Sequence, residues 1–244
     1  MFDDRMARQK TQKSMKAAPV AVRRKLTLWL RRALFAALGL LALWIGAMSF
    51  LPVPTTPYML AERARHNTLS YDWAAMDSIA PIMQRTAVAA EDANFCEHWG
   101  FDITALRSAI AGGAERGGST ISQQTVKNVF LWQGRSWPRK ALEGLLTPVV
   151  ELVWTKRRIL EVYLNVAEFD TGVFGVSAAA QHYFGVSAAD LSGVQAARLA
   201  AILPSPKKRS ASKPGEFTRR RAASILDGAQ TIRRDGRASC FQPK

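Results

Sequence analysis

Glu91 and Asp92 stand side by side after the apolar run Val88-Ala89-Ala90, in a stretch that continues Ala93-Asn94-Phe95-Cys96-Glu97-His98-Trp99-Gly100-Phe101-Asp102. A carboxylate at the edge of an apolar wall has its charged form disfavoured and its basicity raised, which suits a general base. Glu91 is the candidate base, with Asp92 and His98 placed to orient it or hydrogen-bond to it. The plain alternatives are a solvated helix-end carboxylate for Glu91 and a structural, hydrogen-bonded residue for His98. A second stretch, Gly117-Gly118-Ser119-Thr120-Ile121-Ser122-Gln123-Gln124-Thr125-Val126-Lys127-Asn128, puts exposed backbone N–H groups ahead of a helix start, a combination suited to an anion. Lys127 adds a point charge, and Thr120, Gln123 and Gln124 add oriented donors. The glycine–lysine spacing is wrong for a nucleoside-triphosphate loop, and a glycine-rich turn before a polar helix is the bland reading. In a third stretch Arg135, Arg139 and Lys140 precede a second carboxylate, Glu143, whose bland reading is a salt-bridged structural residue.

The elements that must carry these residues read as helices. The segment 79–91 has apolar residues at helical spacing with Pro81 in its first turn, and it ends on Glu91. A carboxylate at a helix C-terminus opposes the helix dipole, and such misfits are more often functional than structural. Further helices are expected over 103–114, over 121–130 with Ser119 or Thr120 as N-cap, and over 138–154 with an apolar face of Leu142, Leu145, Leu146, Val149, Val150 and Val153. Glu143 would border that face. Helices over 156–168, 177–183, 194–203 and 216–234 complete the chain; the first reads as an amphipathic core helix and the last is strongly basic. No alternating strand pattern of useful length appears, so the expected class is mainly α.

Lys and Arg number 34 against 19 Asp and Glu, a formal net charge of +15 that calls for an anionic partner or surface. Residues 1–32 form a basic arm with only Asp3 and Asp4 opposing it, and Ala33 to Leu51 then runs without a charge. At about 1.5 Å per residue that run covers about 28 Å, the hydrocarbon thickness of a bilayer. The expected organisation is a cytoplasmic tail 1–32, a membrane span 33–53 and an extracytoplasmic domain 54–244 behind the proline-punctuated stalk 51–57. The basic excess before the span keeps the N-terminus in the cytoplasm, which places the domain away from nucleic acid. The arm is too long for a signal peptide and no small-x-small cleavage site precedes Pro52. The two cysteines, Cys96 and Cys240, make neither a disulfide framework nor a metal site, and are expected to stay unpaired.

Taken together, the stretches resemble the peptidoglycan glycosyltransferase domain of class A penicillin-binding proteins and monofunctional biosynthetic transglycosylases. Glu91-Asp92-x-x-Phe95-x-x-His98-x-Gly100-x-Asp102 is similar to that family's first motif, Gly117 to Asn128 to its second, and Arg139-Lys140-x-x-Glu143 to its third. Ile159-Leu160-Glu161-x-Tyr163-Leu164-Asn165, with Gly172, Gly175-Val176 and Tyr183-Phe184-Gly185, resembles the fourth, and Leu199 to Pro204 the fifth. The likeness covers roughly residues 54 to 210 in the family order. Cys96 and Glu97 fall where the first motif is open. With no transpeptidase domain following, the resemblance is to the monofunctional, membrane-anchored type.

That resemblance implies a mainly α, lysozyme-like fold with a membrane-proximal lobe, in the cytoplasmic (inner) membrane with its catalytic domain in the periplasm. It implies polymerisation of lipid II, a disaccharide-peptide on undecaprenyl diphosphate, into β-1,4-linked glycan with inversion. Glu91 would be the base on the acceptor's 4-hydroxyl. Lys127, Arg135 and Arg139 would stabilise the departing diphosphate, and Glu143 would organise those cations. Asp92, Phe95, His98, Ser119, Thr120, Gln123, Gln124 and Asn128 match family positions that hold substrate. No cofactor is implied with certainty; Mg2+ or another divalent cation at the diphosphate, held by Glu143, is left open. The implied partners are lipid II, the growing glycan and the membrane, with cell-division or elongation proteins left open. A glycan-cleaving enzyme of lysozyme-like fold and a non-catalytic cell-wall scaffold are the rival readings.

Overall fold

Residues 20–111, 118–134 and 136–242 are described by the structure, a computed structural model. Arg135 and Gly117 therefore lie outside the described residues, as does most of the basic arm. The chain divides into two compact units, one ending at Trp44 and one beginning at Ile45. The helix α1 (Val20–Ala47) begins in the first and ends in the second; its segment Thr27–Ala47 is 21 residues long, with a window of mean hydropathy 1.7 that is only 6% buried.

The helix stops at Ala47, short of the expected boundary at 53. Met48 and Val53 are 4% and 1% exposed and belong to the second unit. Side chains of that unit take the carbonyls that a helix end leaves without partners. Trp154 Nε1 donates to Ile45 O at 2.8 Å, and Arg158 Nε donates to Met48 O at 3.1 Å.

The second unit is mainly helical: α2 (Pro57–His66), α3 (Pro81–Glu91), α4 (Ile103–Ala111), α5 (Ile121–Phe130), α6 (Trp137–Val153), α7 (Lys156–Val166), α8 (Val176–Phe184), α9 (Gly193–Ile202) and α10 (Glu216–Arg234). Two groups of helices build it. In one, α5 packs between α6 and α7, and α7 buries Ile159, Leu160, Val162, Tyr163, Leu164 and Val166. In the other, α3, α9 and α10 close on a small-residue cluster of Ala197, Ala200, Ala201, Ala222 and Ile225, with Ala89 and Ala90 of α3 against it. Alanine at these positions lets the helix axes approach, and the close fit fixes where the last turn of α3 ends.

Two sequence expectations are corrected. The helix expected over 156–168 ends at Val166, and Glu168–Asp170 is instead the strand β2 of a small sheet, with β1 (Ser70–Tyr71) and β3 (Val173–Phe174). The order is β1-β3-β2, β1 running parallel and β2 antiparallel to β3. Strands of two and three residues are too short to show a period. What makes them is glycine: Gly175 has φ +83°, and a Cβ there would stand 2.7 Å from Asn165 O. The second correction concerns Cys96 and Cys240, which are joined in a disulfide across 144 residues of sequence.

Gly175→Ala is expected to cost about 2–3 kcal/mol, because that backbone region is nearly glycine-only and the new methyl meets a carbonyl that helix α7 cannot move. Thermal unfolding followed by circular dichroism checks it, and an unchanged Tm would show that the turn can relax.

Candidate active site

Helix α3 delivers Glu91 as its last residue, with Met83, Ala87 and Val88 wholly buried on the same helix. The Glu91 side chain is 13% exposed. Its Oε2 accepts a hydrogen bond from Gln124 Nε2 at 3.0 Å, while its Oε1 is buried without a hydrogen-bond partner. Burial pushes the Glu91 carboxyl above the ordinary range and Asp92 adds to that, against the opposing pull of Gln124, Arg221 and Lys127.

Of the two alternatives for Asp92 and His98, a direct hydrogen bond to Glu91 is not the one formed. Asp92 Oδ1 accepts from His98 Nε2 at 2.8 Å, and Asp92 Oδ2 accepts from the backbone N–H of Ile121 at 2.9 Å. The pair thus ties the loop after Glu91 to the first turn of α5. Thr120 and Gln123 form a capping box on that helix, and Thr120 Oγ1 also donates to Gly100 O at 2.7 Å. Gly100 is obligatory at this crossing, since at φ +84° a Cβ would lie 2.7 Å from Thr147 Cγ2. One turn into α5, Gln124 reaches back to Glu91. The support Asp92 and His98 lend the base therefore runs through α5.

Phe95 is another correction. It is fully buried, its ring 6.3 Å from that of Phe241 and with Lys156 Nζ 4.5 Å above it, so it lies in the core beneath the loop rather than on a cavity wall.

Three cations, Lys127, Arg139 and Lys140, stand near Glu143. Lys127 has no hydrogen bond or ion pair among the described residues, and burial draws its pKa down, with Glu143 pulling the other way. Arg139 NH1 and Lys140 Nζ both bind Glu143, the first at 2.6 Å. Arg139 Nε also donates to Gly134 O at 2.9 Å, and Lys140 Nζ to Ser119 Oγ at 3.1 Å. Asn128 Oδ1 accepts from Gln133. Both oxygens of Glu143 are thus held by cations, which does not fit a metal ligand. Among the described residues no group of three His, Cys, Asp or Glu side chains could hold an ion.

Two cavities flank this arrangement. The first, of about 230 Å³, is lined by Glu91, Asp92, Asn94, Asp102, Gly118, Ser119 and Thr120. The second, of about 220 Å³, is lined by Gln124, Lys127, Asn128, Tyr58, Tyr163 and Glu168. Gln124 lines the second and bonds to Glu91 and Ser119, which line the first. The Glu91 carboxylate therefore opens on one cavity, and the partly buried Lys127 on the other.

Some residues here escaped the sequence reading. Arg221 of α10 places NH2 3.9 Å from Glu91 Oε1 and donates to Ala90 O; in sequence it is one of many arginines on a basic helix. On the second cavity, Tyr58 donates to Glu168, and Lys207 bridges Glu168 at 3.3 Å and Glu62 at 2.5 Å. Burial pushes the Glu168 carboxyl up.

The profile of the transglycosylase family matches residues 59–230. A protein named biosynthetic peptidoglycan transglycosylase from Jannaschia sp. (strain CCS1) is 64% identical over 213 residues, 87% of this chain and 89% of that protein. Proteins of the same name from Caulobacter vibrioides and Ectopseudomonas mendocina are 51% and 46% identical, over 78% and 83% of this chain and 85% and 88% of theirs.

Glu91→Gln is expected to raise Tm. The folded-state pKa of Glu91 lies above its unfolded value, so stability falls as pH rises between the two and stays lower at neutral pH. Gln removes that ionisation and can still accept from Gln124. Paired melts of the two proteins at pH 7 and at pH 4 measure it: a gain at pH 7 that shrinks at pH 4 is expected, and a lower Tm at pH 7 would contradict the assigned burial.

Proposed function

Because the chain belongs to the transglycosylase family, and is a mainly α, lysozyme-like peptidoglycan glycosyltransferase within it, we propose that Glu91 is the base that drives polymerisation of lipid II. The observation that carries this is the Glu91 carboxylate on the first cavity, its buried Oε1 without a hydrogen bond and its Oε2 held by Gln124, which lines the second cavity beside Lys127. The acceptor's 4-hydroxyl gives its proton to Glu91 Oε1, its oxygen attacks the donor's anomeric carbon, and the bond from that carbon to the diphosphate oxygen breaks. The electron pair leaves with undecaprenyl diphosphate. Attack opposite the leaving group inverts the centre, giving the β linkage. Glu91 then returns the proton to solvent.

The departing diphosphate needs positive charge more than it needs a proton. Lys127, partly desolvated and with no hydrogen bond or ion pair among the described residues, supplies it where a fixed cation is strongest. Glu143 is not free to act as a base. It holds Arg139 and Lys140 in place, and through Lys140 also fixes Ser119 at the rim of the first cavity. No step is assigned to a metal.

A lipid-linked substrate places the enzyme at a membrane. The apolar segment Thr27–Ala47 supports a single-pass anchor. The α6 surface adds a second contact: Leu145 and Leu152 are 70% and 73% exposed and Trp137 is 88% exposed, a surface suited to the interfacial region of a bilayer. The basic arm favours a cytoplasmic N-terminus, and a disulfide in the domain suits an oxidising compartment beyond the inner membrane.

Labelled lipid II should be converted to long glycan by the purified protein. Glu91→Gln should lower kcat by about 10²–10⁴-fold, and Lys127→Ala by about 10²–10³-fold. The acid limb of the wild-type rate profile should lie above the ordinary Glu value of 4.5. Shortening of added glycan in place of lipid II polymerisation would refute the proposal.

A further inference from the structure

Beyond α10 the chain turns at Gly236 and runs back across the loop that follows Glu91. Arg237 NH1 donates to Ala93 O at 3.1 Å, and Cys240 is bonded to Cys96. Phe241, 1% exposed, lies against Phe95, and its carbonyl accepts from Arg157 NH1 at 2.8 Å. Gln242 Nε2 donates to Pro81 O at 2.7 Å and to Gln84 Oε1 at 3.0 Å, and its Oε1 accepts from Arg85 NH1 at 2.8 Å. These contacts grip both ends of α3: its first turn through Gln242, and the loop beyond its last residue through Arg237, Cys240 and Phe241.

We infer that residues 237–242 are a positioning strap for the catalytic loop, and that the Cys96–Cys240 bond keeps the strap closed on it. The inference rests on the reading of Glu91 as base. Helix α3 is held independently by the alanine-rich packing of α9 and α10, so the helix persists when the strap is released. The loop has no such packing of its own. Phe95 is its one large buried side chain, and the strap supplies Phe241, one of Phe95's aromatic neighbours. Asp92, whose two bonds tie this loop to α5 and thereby place Gln124 on Glu91, lies four residues before Cys96. Freeing the strap loosens that register without dissolving the fold. None of residues 237–242 lines either cavity, so the strap acts through Asp92 and Glu91.

The bond can be opened cleanly. A dithiol supplies two electrons and two protons, the protein disulfide becomes two thiols, and the dithiol closes to its own disulfide. Cys96 and Cys240 are the chain's only cysteines, so the reagent has one target. The test compares full-length enzyme in detergent, oxidised or reduced with dithiothreitol and alkylated, for lipid II turnover, rate–pH profile and helical circular dichroism. Reduction is expected to lower kcat about tenfold or more with KM changed by less than about threefold, since misplacement of a catalytic group costs rate more than binding. It should also move the acid limb, with the helical signal kept at 25 °C. Cys96→Ser/Cys240→Ser should match the reduced enzyme and ignore dithiol. Phe241→Ala, with the bond intact, should share the loss of kcat, and Phe241→Leu should recover most of it.

Equal turnover of oxidised and reduced enzyme overturns the strap alone. Loss of helical signal in step with activity also overturns it, making the bond a brace for the whole fold. Oxidised enzyme that makes no glycan removes the functional reading and the strap with it.

Discussion

Asp92 is the residue on which the site's geometry turns. One carboxylate oxygen holds His98 and the other holds the Ile121 N–H, so a single buried side chain joins the end of α3 to the beginning of α5. The acceptor capacity of that carboxylate is spent on the first-turn N–H of a helix, where the dipole favours negative charge. Beside this tie, the hydrogen bond between Gln124 and Glu91 links the two helices at the edge of a cavity. With the Asp92 tie, the base and the cation travel on elements whose relative position is set in the interior.

The charged groups fall into two classes by how they are satisfied. Glu143 is buried and doubly paired, and so is fixed. Breaking a pair of that kind leaves an uncompensated charge, which is far costlier than forming the pair is rewarding. Glu91 and Lys127 are partly buried and incompletely paired among the described residues, and desolvation biases both toward their neutral forms. The paired groups give shape. The unpaired ones keep capacity for a substrate proton and a substrate charge.

Much of this was legible in the chain and some was not, for identifiable reasons. The helix ending on Glu91, the N-cap at Thr120 and the end of the basic helix at Arg234 are local features, and local spacing reports them. The partner of Asp92 is a backbone N–H 29 residues away, and Cys240 lies 144 residues from Cys96; nothing in the spacing indicates either. Glu168 was assigned to a helix because a two-residue partner strand carries no period. Helix α6 failed differently. Of the apolar face expected over Leu142, Leu145, Leu146, Val149, Val150 and Val153, Val150 is buried and Leu146 half-buried, but the other four are exposed, while Arg139, Glu143, Thr147 and Glu151 are buried. The period is helical as expected, and most of the face is exchanged.

That exchange reaches beyond secondary structure. Arg139, Glu143, Thr147 and Glu151 recur every fourth residue along the inward side of α6, and leucine and valine occupy much of the outward side. Such a helix is inside-out with respect to water. Exposed to buffer, its leucine side is a surface on which copies of the protein would stick to one another or to surfactant, so the colloidal behaviour of the folded domain depends on amphiphiles even with α1 set aside. If α6 meets the bilayer as proposed, the medium is part of the folded state: the side that water would ordinarily solvate is the side that faces something oily.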